Sequence, residues 1–393
     1  MAAMEKNNKT LNVPHLRFPE FSGEWENLLL NDIVLERKKR VPPSTLTTST
    51  YISTENMLQN FAGVSEASGV PSNNVVEYKI GDILISNIRP YLKKIWLANQ
   101  NGGCSSDIIV LSSCENYDGS FVYYLLANDG FISYVMSGAK GLKMPRGDKQ
   151  QILKYGISIP SLKEQRKIAM LLDLLDQRIE TQKKIIEKYE SLIRGLITYV
   201  NKGEVWKCKA TALKDVLTEV HEKNVENHEV CSVSVSQGVI NQIDYLGRSF
   251  AAKEVLHYNV VNYGDIVYTK SPTGEFPYGI VKRSNLDRPV AVSPLYGVYR
   301  PVNDYVGIYL HLYFKSPVNT KNYLHRLIQK GAKNTINITN QHFLDNQILI
   351  PEHGWLEIIV NAASTIEKMI QIECDALFWL ERQKNYLLSK MFI

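Results

Sequence analysis

A heptad of apolar side chains is written twice in this chain at one constant offset, so the chain must supply two long helices with matching seams. In the first run Ile168, Leu172, Leu175, Ile179, Gln182, Ile186, Tyr189, Ile193, Leu196 and Val200 alternate spacings of four and three. In the second, Ile359, Ala363, Ile366, Ile370, Glu373, Leu377, Leu380, Lys384, Leu387 and Met391 do the same, each 191 positions after its counterpart. Pro160 and Pro351 precede the two runs at that offset, and the polar interruption recurs as Gln182 and Glu373. A period of 3.5 held over about four heptads describes a helix whose seam faces another long helix. A helical hairpin with a purely structural purpose would account for the heptads taken alone.

The repeat extends beyond the helices. Gly81-Asp82-Ile83 and Gly264-Asp265-Ile266 stand 183 apart, Gly138-Ala139-Lys140 and Gly331-Ala332-Lys333 stand 193 apart, and Gly23-Glu24-Trp25 is answered by Gly203-Glu204-Val205-Trp206. The drifting offsets place insertions inside the segments between the helices. Short β-branched and aromatic runs predict strands at 82–86 and 107–112 in the first segment, and at 230–236, 265–269 and 290–299 in the second. The expected fold is α+β: two mixed α/β domains separated by an antiparallel two-helix coiled coil, with a pseudo-twofold internal repeat. Its parts are a flexible tail (1–13), a first domain (14–158), a first helix (159–201), a second domain (202–349) and a second helix (350–393). The first seam covers about 33 residues, roughly 50 Å at 1.5 Å per residue. With only a short turn at its end, the second helix is expected to run back along it, with the domains at opposite ends.

At 393 residues the chain is long for a single core. Hydrophobic content of 44% and charged content of 22% are ordinary for a soluble protein, and no window approaches a membrane span of ~18 apolar residues. Residues 1–10 lack the apolar core of a signal peptide, which points to a cytoplasmic protein with no membrane partner. Five scattered cysteines without a CxxC pair read as reduced core thiols rather than a disulfide framework or zinc site. The net charge of +5 permits a polyanionic partner without demanding one.

Three motifs carry a resemblance. The run from Ile159 through Pro160-Ser161-Leu162-Lys163-Glu164-Gln165-Arg166-Lys167-Ile168, with Leu171-Leu172-Asp173 and Leu175-Asp176, closely resembles the conserved region of type I restriction-modification specificity subunits. So do 11–21, from Leu11 to Phe21, and 387–393, from Leu387 to Ile393; Gly81 to Ser86 and Val292 to Tyr296 extend the likeness to strand motifs over nearly the whole chain. The resemblance implies two target recognition domains, each reading one half of a split, asymmetric site in double-stranded DNA. It implies that the helix pair docks two modification subunits carrying S-adenosylmethionine chemistry, with up to two restriction subunits bringing ATP and Mg, and no cofactor in this chain. Pro351-Glu352-His353-Gly354-Trp355 departs from the Leu and Glu-Gln that follow Pro160, so docking there is expected to differ in detail.

Candidate DNA contacts are gathered by charge and amide chemistry. Arg and Lys neutralise phosphates and reach guanine, whereas Asn reads adenine edges. In the first domain Asn87, Arg89, Tyr91, Lys93 and Lys94 follow a strand, and Lys140, Lys143 and Arg146, with Lys149, form a later cluster. In the second, Lys270, Ser271 and Thr273 follow the matching strand, and Lys330, Lys333 and Asn334 repeat the later cluster. Each set also reads as an ordinary solvated loop. The stretch from Glu36 to Arg40 reads as a solvated edge that could touch a phosphate. A strut of ~50 Å exceeds one ~34 Å turn of B-DNA, so the helix pair is expected to set the spacer between half-sites.

Catalytic patterns are missing: there is no GxxxxGK[ST] loop, no HExxH, and no Asp-Pro-Pro or Asn-Pro-Pro aromatic motif of amino-methyltransferases. Glu77-Tyr78-Lys79 mimics the ExK of a metal nuclease, but no aspartate lies between Asp32 and Asp82 to supply the upstream ligand. The chain is expected to have no enzymatic activity and no metal. The alternative to a DNA specificity subunit is a non-catalytic protein-binding scaffold with two heads on a helical strut.

Overall fold

A computed structural model describes residues 12–202, 207–248, 254–330 and 336–393, with the backbone alone at 329, 330, 336 and 337. The chain divides into two compact units, Met1–Lys183 with Asp375–Ile393, and Lys184–Cys374. The division falls inside both long helices, so each unit owns one head and a part of each helix. The helices themselves run Leu162–Asn201 and His353–Met391.

In the first unit the Glu26–Leu29 strand pairs antiparallel with Gly156–Ile159, setting Leu28 opposite Ile157. The corresponding pair in the second unit is Cys208–Ala212 with Gln347–Pro351, setting Thr211 opposite Ile348. The two partners lie 183 and 191 positions on from their counterparts, so register survives although the intervening chain has grown. The central sheets repeat likewise. Four strands in the order Val34–Glu36, Ile108–Ser113, Ile83–Ser86, Ile95–Leu97 are matched by Leu217–Glu219, Gly297–Pro301, Ile266–Thr269, Ile280–Arg283. Every side chain of Ile83–Ser86 and Ile266–Thr269 is buried, which explains why each reads as a continuous apolar run rather than an alternating one. Gly81 and Gly264 take φ +84° and +88° in the turns feeding those strands, a conformation open to glycine.

One predicted strand is corrected. The 290–299 run is two strands, Val290–Val292 and Gly297–Pro301, paired in different sheets. Pro294 has no N–H for a ladder, and the Tyr296 N–H closes a turn onto the Ser293 carbonyl at 3.0 Å. The first helix also begins earlier than its seam, because its opening turn is held by polar bonds that carry no apolar period.

Within the first unit the helix segments pair antiparallel: Lys183 meets Glu381 at 3.2 Å and Asp176 meets Lys384 at 2.6 Å, one number falling as the other rises. The lysine at a seam position is thereby accounted for. Ile168, Leu172, Leu175 and Ile179 are buried, while Gln182, Leu377 and Leu380 are half-buried. In the second unit Ile193, Ile197 and Val200 share one core with Leu356, Ile359, Val360 and Ala363, and Ile366 and Ile370 pack against its edge. There Ile359 is buried, and Ile186, Ile366, Ile370 and Glu373 are half-buried. The seam is thus driest beside each head, where apolar side chains of the sheets and short helices join it.

Candidate nucleic-acid interface

The three motifs that carry the family likeness meet in the first unit. The Glu164 carboxylate, 1% exposed, takes both Nε and a terminal nitrogen of Arg17 at 2.7 Å. Its neighbour Gln165 donates to the Pro160 carbonyl at 2.9 Å and accepts the Asp118 N–H at 2.9 Å. The Leu16 N–H donates to the Lys390 carbonyl at 2.8 Å, and Phe392 lies 5.3 Å from the Phe121 ring. Tyr124 places its hydroxyl 2.9 Å from Asp173 and 2.8 Å from Asp176, one O–H serving one carboxylate at a time. Burial raises Asp173 above the usual carboxylate range. These polar residues build the junction of head and helix. Asn12, assigned to the tail, already belongs to it: its side chain donates to the Trp25 carbonyl at 2.6 Å and its own carbonyl accepts the Trp25 N–H.

The cationic segments of the first head lie elsewhere, and two that are distant in sequence come together. The Arg89 N–H donates to the Pro145 carbonyl at 2.8 Å, Ile88 bridges Arg146, and the Gly147 N–H reaches the Asn87 carbonyl at 3.0 Å. Arg89 and Lys93 hold positive φ of 50° and 55°, bracketing the 3-10 turn Pro90–Leu92. Non-glycine residues in that region carry strain, and here the cross-loop bonds hold them.

The candidates divide by what their charges already touch. Lys93 pairs with Asp129 at 2.6 Å, Arg146 with Asp107 at 2.9 Å and Lys140 with Asp148 at 3.5 Å. Lys94 donates to the Thr54 carbonyl at 2.6 Å; burial, reinforced by Arg89, lowers its pKa. Asn87 is half-buried, and its buried Oδ1 finds no hydrogen-bond partner among the described residues. Arg89 and Lys143 are exposed without an acidic partner among the described residues, and Tyr91 is exposed beside them. Lys149 pairs with Glu36 and Lys39 with Glu77, and Arg37 binds Asp82. In the 36–40 stretch, read as a solvated edge, Lys38, Lys39 and Arg40 are exposed, whereas Glu36 and Arg37 are half-buried and tied into the head.

In the second head Lys270, Ser271 and Thr273 are exposed on the loop between Ile266–Thr269 and Ile280–Arg283, the place that 87–94 holds in the first. Mutual N–H to carbonyl bonds between Thr273 and Phe276, at 3.1 and 2.9 Å, tighten that loop over the buried Phe276 ring. Of the later cluster, Lys330 is described in backbone only, and Lys333 and Asn334 lie outside the described residues, as do 203–206 of the second Gly-Glu motif.

Sequence reasoning missed the buried charges. Asp82 and Asp265 are 2% and 1% exposed, and each binds an arginine. The recurring Gly-Asp pair was the available signal. Among the described residues no group of three or more His, Cys, Asp or Glu is arranged to hold a metal, and Cys104, Cys114, Cys208 and Cys231 are free thiols. No helix among them is long and apolar enough to cross a membrane.

Residues 22–191 match the family model for the type I restriction modification DNA specificity domain. The EcoDI specificity subunit of a type I restriction enzyme from Escherichia coli is 23% identical over 133 residues, 33% of this chain; the match spans only 30% of that relative's length. The fold is similar to the S subunit of a type I restriction-modification system from M. genitalium, with TM-score 0.61 and 12% identity over 97% of this chain and 99% of that one. A chain solved in work on complex assembly and conformational transition of the type I R-M system aligns at TM-score 0.51 and 14% identity, over 93% of this chain and 97% of that one. At such identities the likeness is one of fold.

Proposed function

We propose that this chain belongs to the type I restriction-modification specificity family, that it is the subunit selecting the DNA sequence on which such a complex acts, and that it has no catalytic centre of its own. Each head reads one half of a split, asymmetric site in double-stranded DNA. The paired long helices set the number of base pairs between the halves and dock two modification subunits. Those subunits bring S-adenosylmethionine; restriction subunits, where they join, bring ATP and Mg.

One observation carries this reading: Asn87–Lys94 and Lys140–Arg146 are bonded edge to edge at Arg89 and Pro145 and present Arg89, Lys143 and Tyr91 outward. Unneutralised cations beside an aromatic ring favour a polyanion with readable edges. The alternate use of such a surface, as a scaffold for protein partners, does not call for cations left unpaired while their neighbours are paired.

The test is duplex binding by the assembled complex across a salt series. Each phosphate neutralised releases counterions, so the logarithm of affinity should fall linearly with that of salt, by roughly 0.9 per phosphate. A flat series, or no duplex binding, would favour the scaffold.

A further inference from the structure

The loop that closes the first head's basic surface ends in an apolar tip. Lys140 and Arg146 exchange N–H to carbonyl bonds at 2.9 Å each, enclosing residues 141–145. Gly141 turns the chain at φ +102°, and Pro145, buried, is held by the Arg89 N–H. Between them Leu142 is fully exposed, at 105% of its reference area, and Met144 is 49% exposed. The loop is thus fixed through its base, and the leucine at its tip contributes nothing to holding it.

A lone exposed leucine is ordinary. This one stands next to Lys143 in a loop whose base carries Lys140 and Arg146 and is bonded to Arg89 through Pro145; of these cations Arg89 and Lys143 have no acidic partner among the described residues. Cations settling on phosphates would carry the tip between them into the groove, where leucine and methionine side chains wedge between stacked base pairs and kink the duplex. We infer that Leu142 is an apolar wedge that enters a base step of the half-site read by the first head, unstacking and bending the DNA there. The inference rests on the DNA-reading function proposed above and adds how one half-site is engaged.

The test uses the complex of this chain with its modification subunits and a duplex recovered from a randomised library by selection on that complex. 2-Aminopurine placed at successive positions reports unstacking, and dyes on the duplex ends report bending by energy transfer. The wild-type complex should raise fluorescence at one step in a single half-site and shorten the end-to-end distance. Leu142→Ala should abolish both, weaken binding on the order of tenfold and leave the salt slope unchanged. Leu142→Met should retain both signals. Unchanged fluorescence and bending in Leu142→Ala, or a straight, stacked duplex in the wild-type complex, overturns the wedge while leaving sequence reading intact. A wild-type complex from which selection recovers no duplex overturns both.

Discussion

The Asp82 carboxylate grips the Arg37 guanidinium through two bonds, at 2.6 and 3.0 Å, and also accepts the Lys79 N–H at 2.7 Å. In the second head Asp265 does the same with Arg300, at 3.0 and 3.2 Å, and with the Asn262 N–H at 2.9 Å. The arginines are not equivalent. Ser112 faces Leu35 where Arg300 faces Thr218, so Arg300 stands at the Ser112 position, and Arg37 corresponds to Val220. Both heads keep the buried carboxylate and deliver a guanidinium to it from different strands. The shared requirement is a fixed Gly-Asp turn beneath the strand that feeds the candidate DNA loop.

Removing that carboxylate strands a partly buried guanidinium and removes the acceptor of the Lys79 N–H in the turn. Asp82→Ala should therefore lower stability by about 3 kcal/mol, measured by urea unfolding. Adding Arg37→Ala should cost much less than the sum of the single changes, since the double change removes both charges together.

His311 gives the second head an acid-sensitive point. Burial, with Lys282, Lys315 and Arg283 nearby, pushes its pKa from 6.5 down to about 3. Between those values the unfolded chain binds the extra proton and the folded chain does not. Stability contributed by His311 is thus full above pH 6.5 and is lost as pH falls toward 3, by up to about 1.4 kcal/mol per pH unit. Urea midpoints against pH should show this slope. His311→Phe should flatten it, while lowering stability at all pH because the ring nitrogen accepting the Arg283 N–H at 3.3 Å is gone.

The loop cations should separate into two kinds. Arg89→Ala and Lys143→Ala should each weaken duplex binding and reduce the salt slope by about 1. Lys94→Ala should leave that slope unchanged and lower stability instead, because its ammonium is spent on the Thr54 carbonyl.

The long helices were legible because a seam with period 3.5 is a local pattern, and the central strands because burial on both faces selects continuous β-branched runs. Partner choice was not legible. Arg37 and Asp82 are 45 positions apart and Arg17 and Glu164 are 147 apart, and nothing in either neighbourhood specifies the other. For the same reason the two cationic segments of the first head could be listed from sequence but not joined. The first helix opens at Leu162, inside the 159–201 expected for it, and there Glu164 and Gln165 are buried by hydrogen bonding rather than by apolar packing.

Adding one heptad to each long helix lengthens it by about 10 Å, equivalent to about 3 base pairs. The spacer between half-sites, read from methylated sites, should grow accordingly. An unchanged spacer would remove the helices from that role.

The most direct measurement is a genome-wide map of methylated adenines in cells carrying the complex, before and after residues 14–158 are replaced by the corresponding head of a relative with different specificity. A split motif whose first half changes while its second half and spacer persist is the predicted result. Methylation that changes in both halves, or in neither, would contradict the assignment of one half-site to each head.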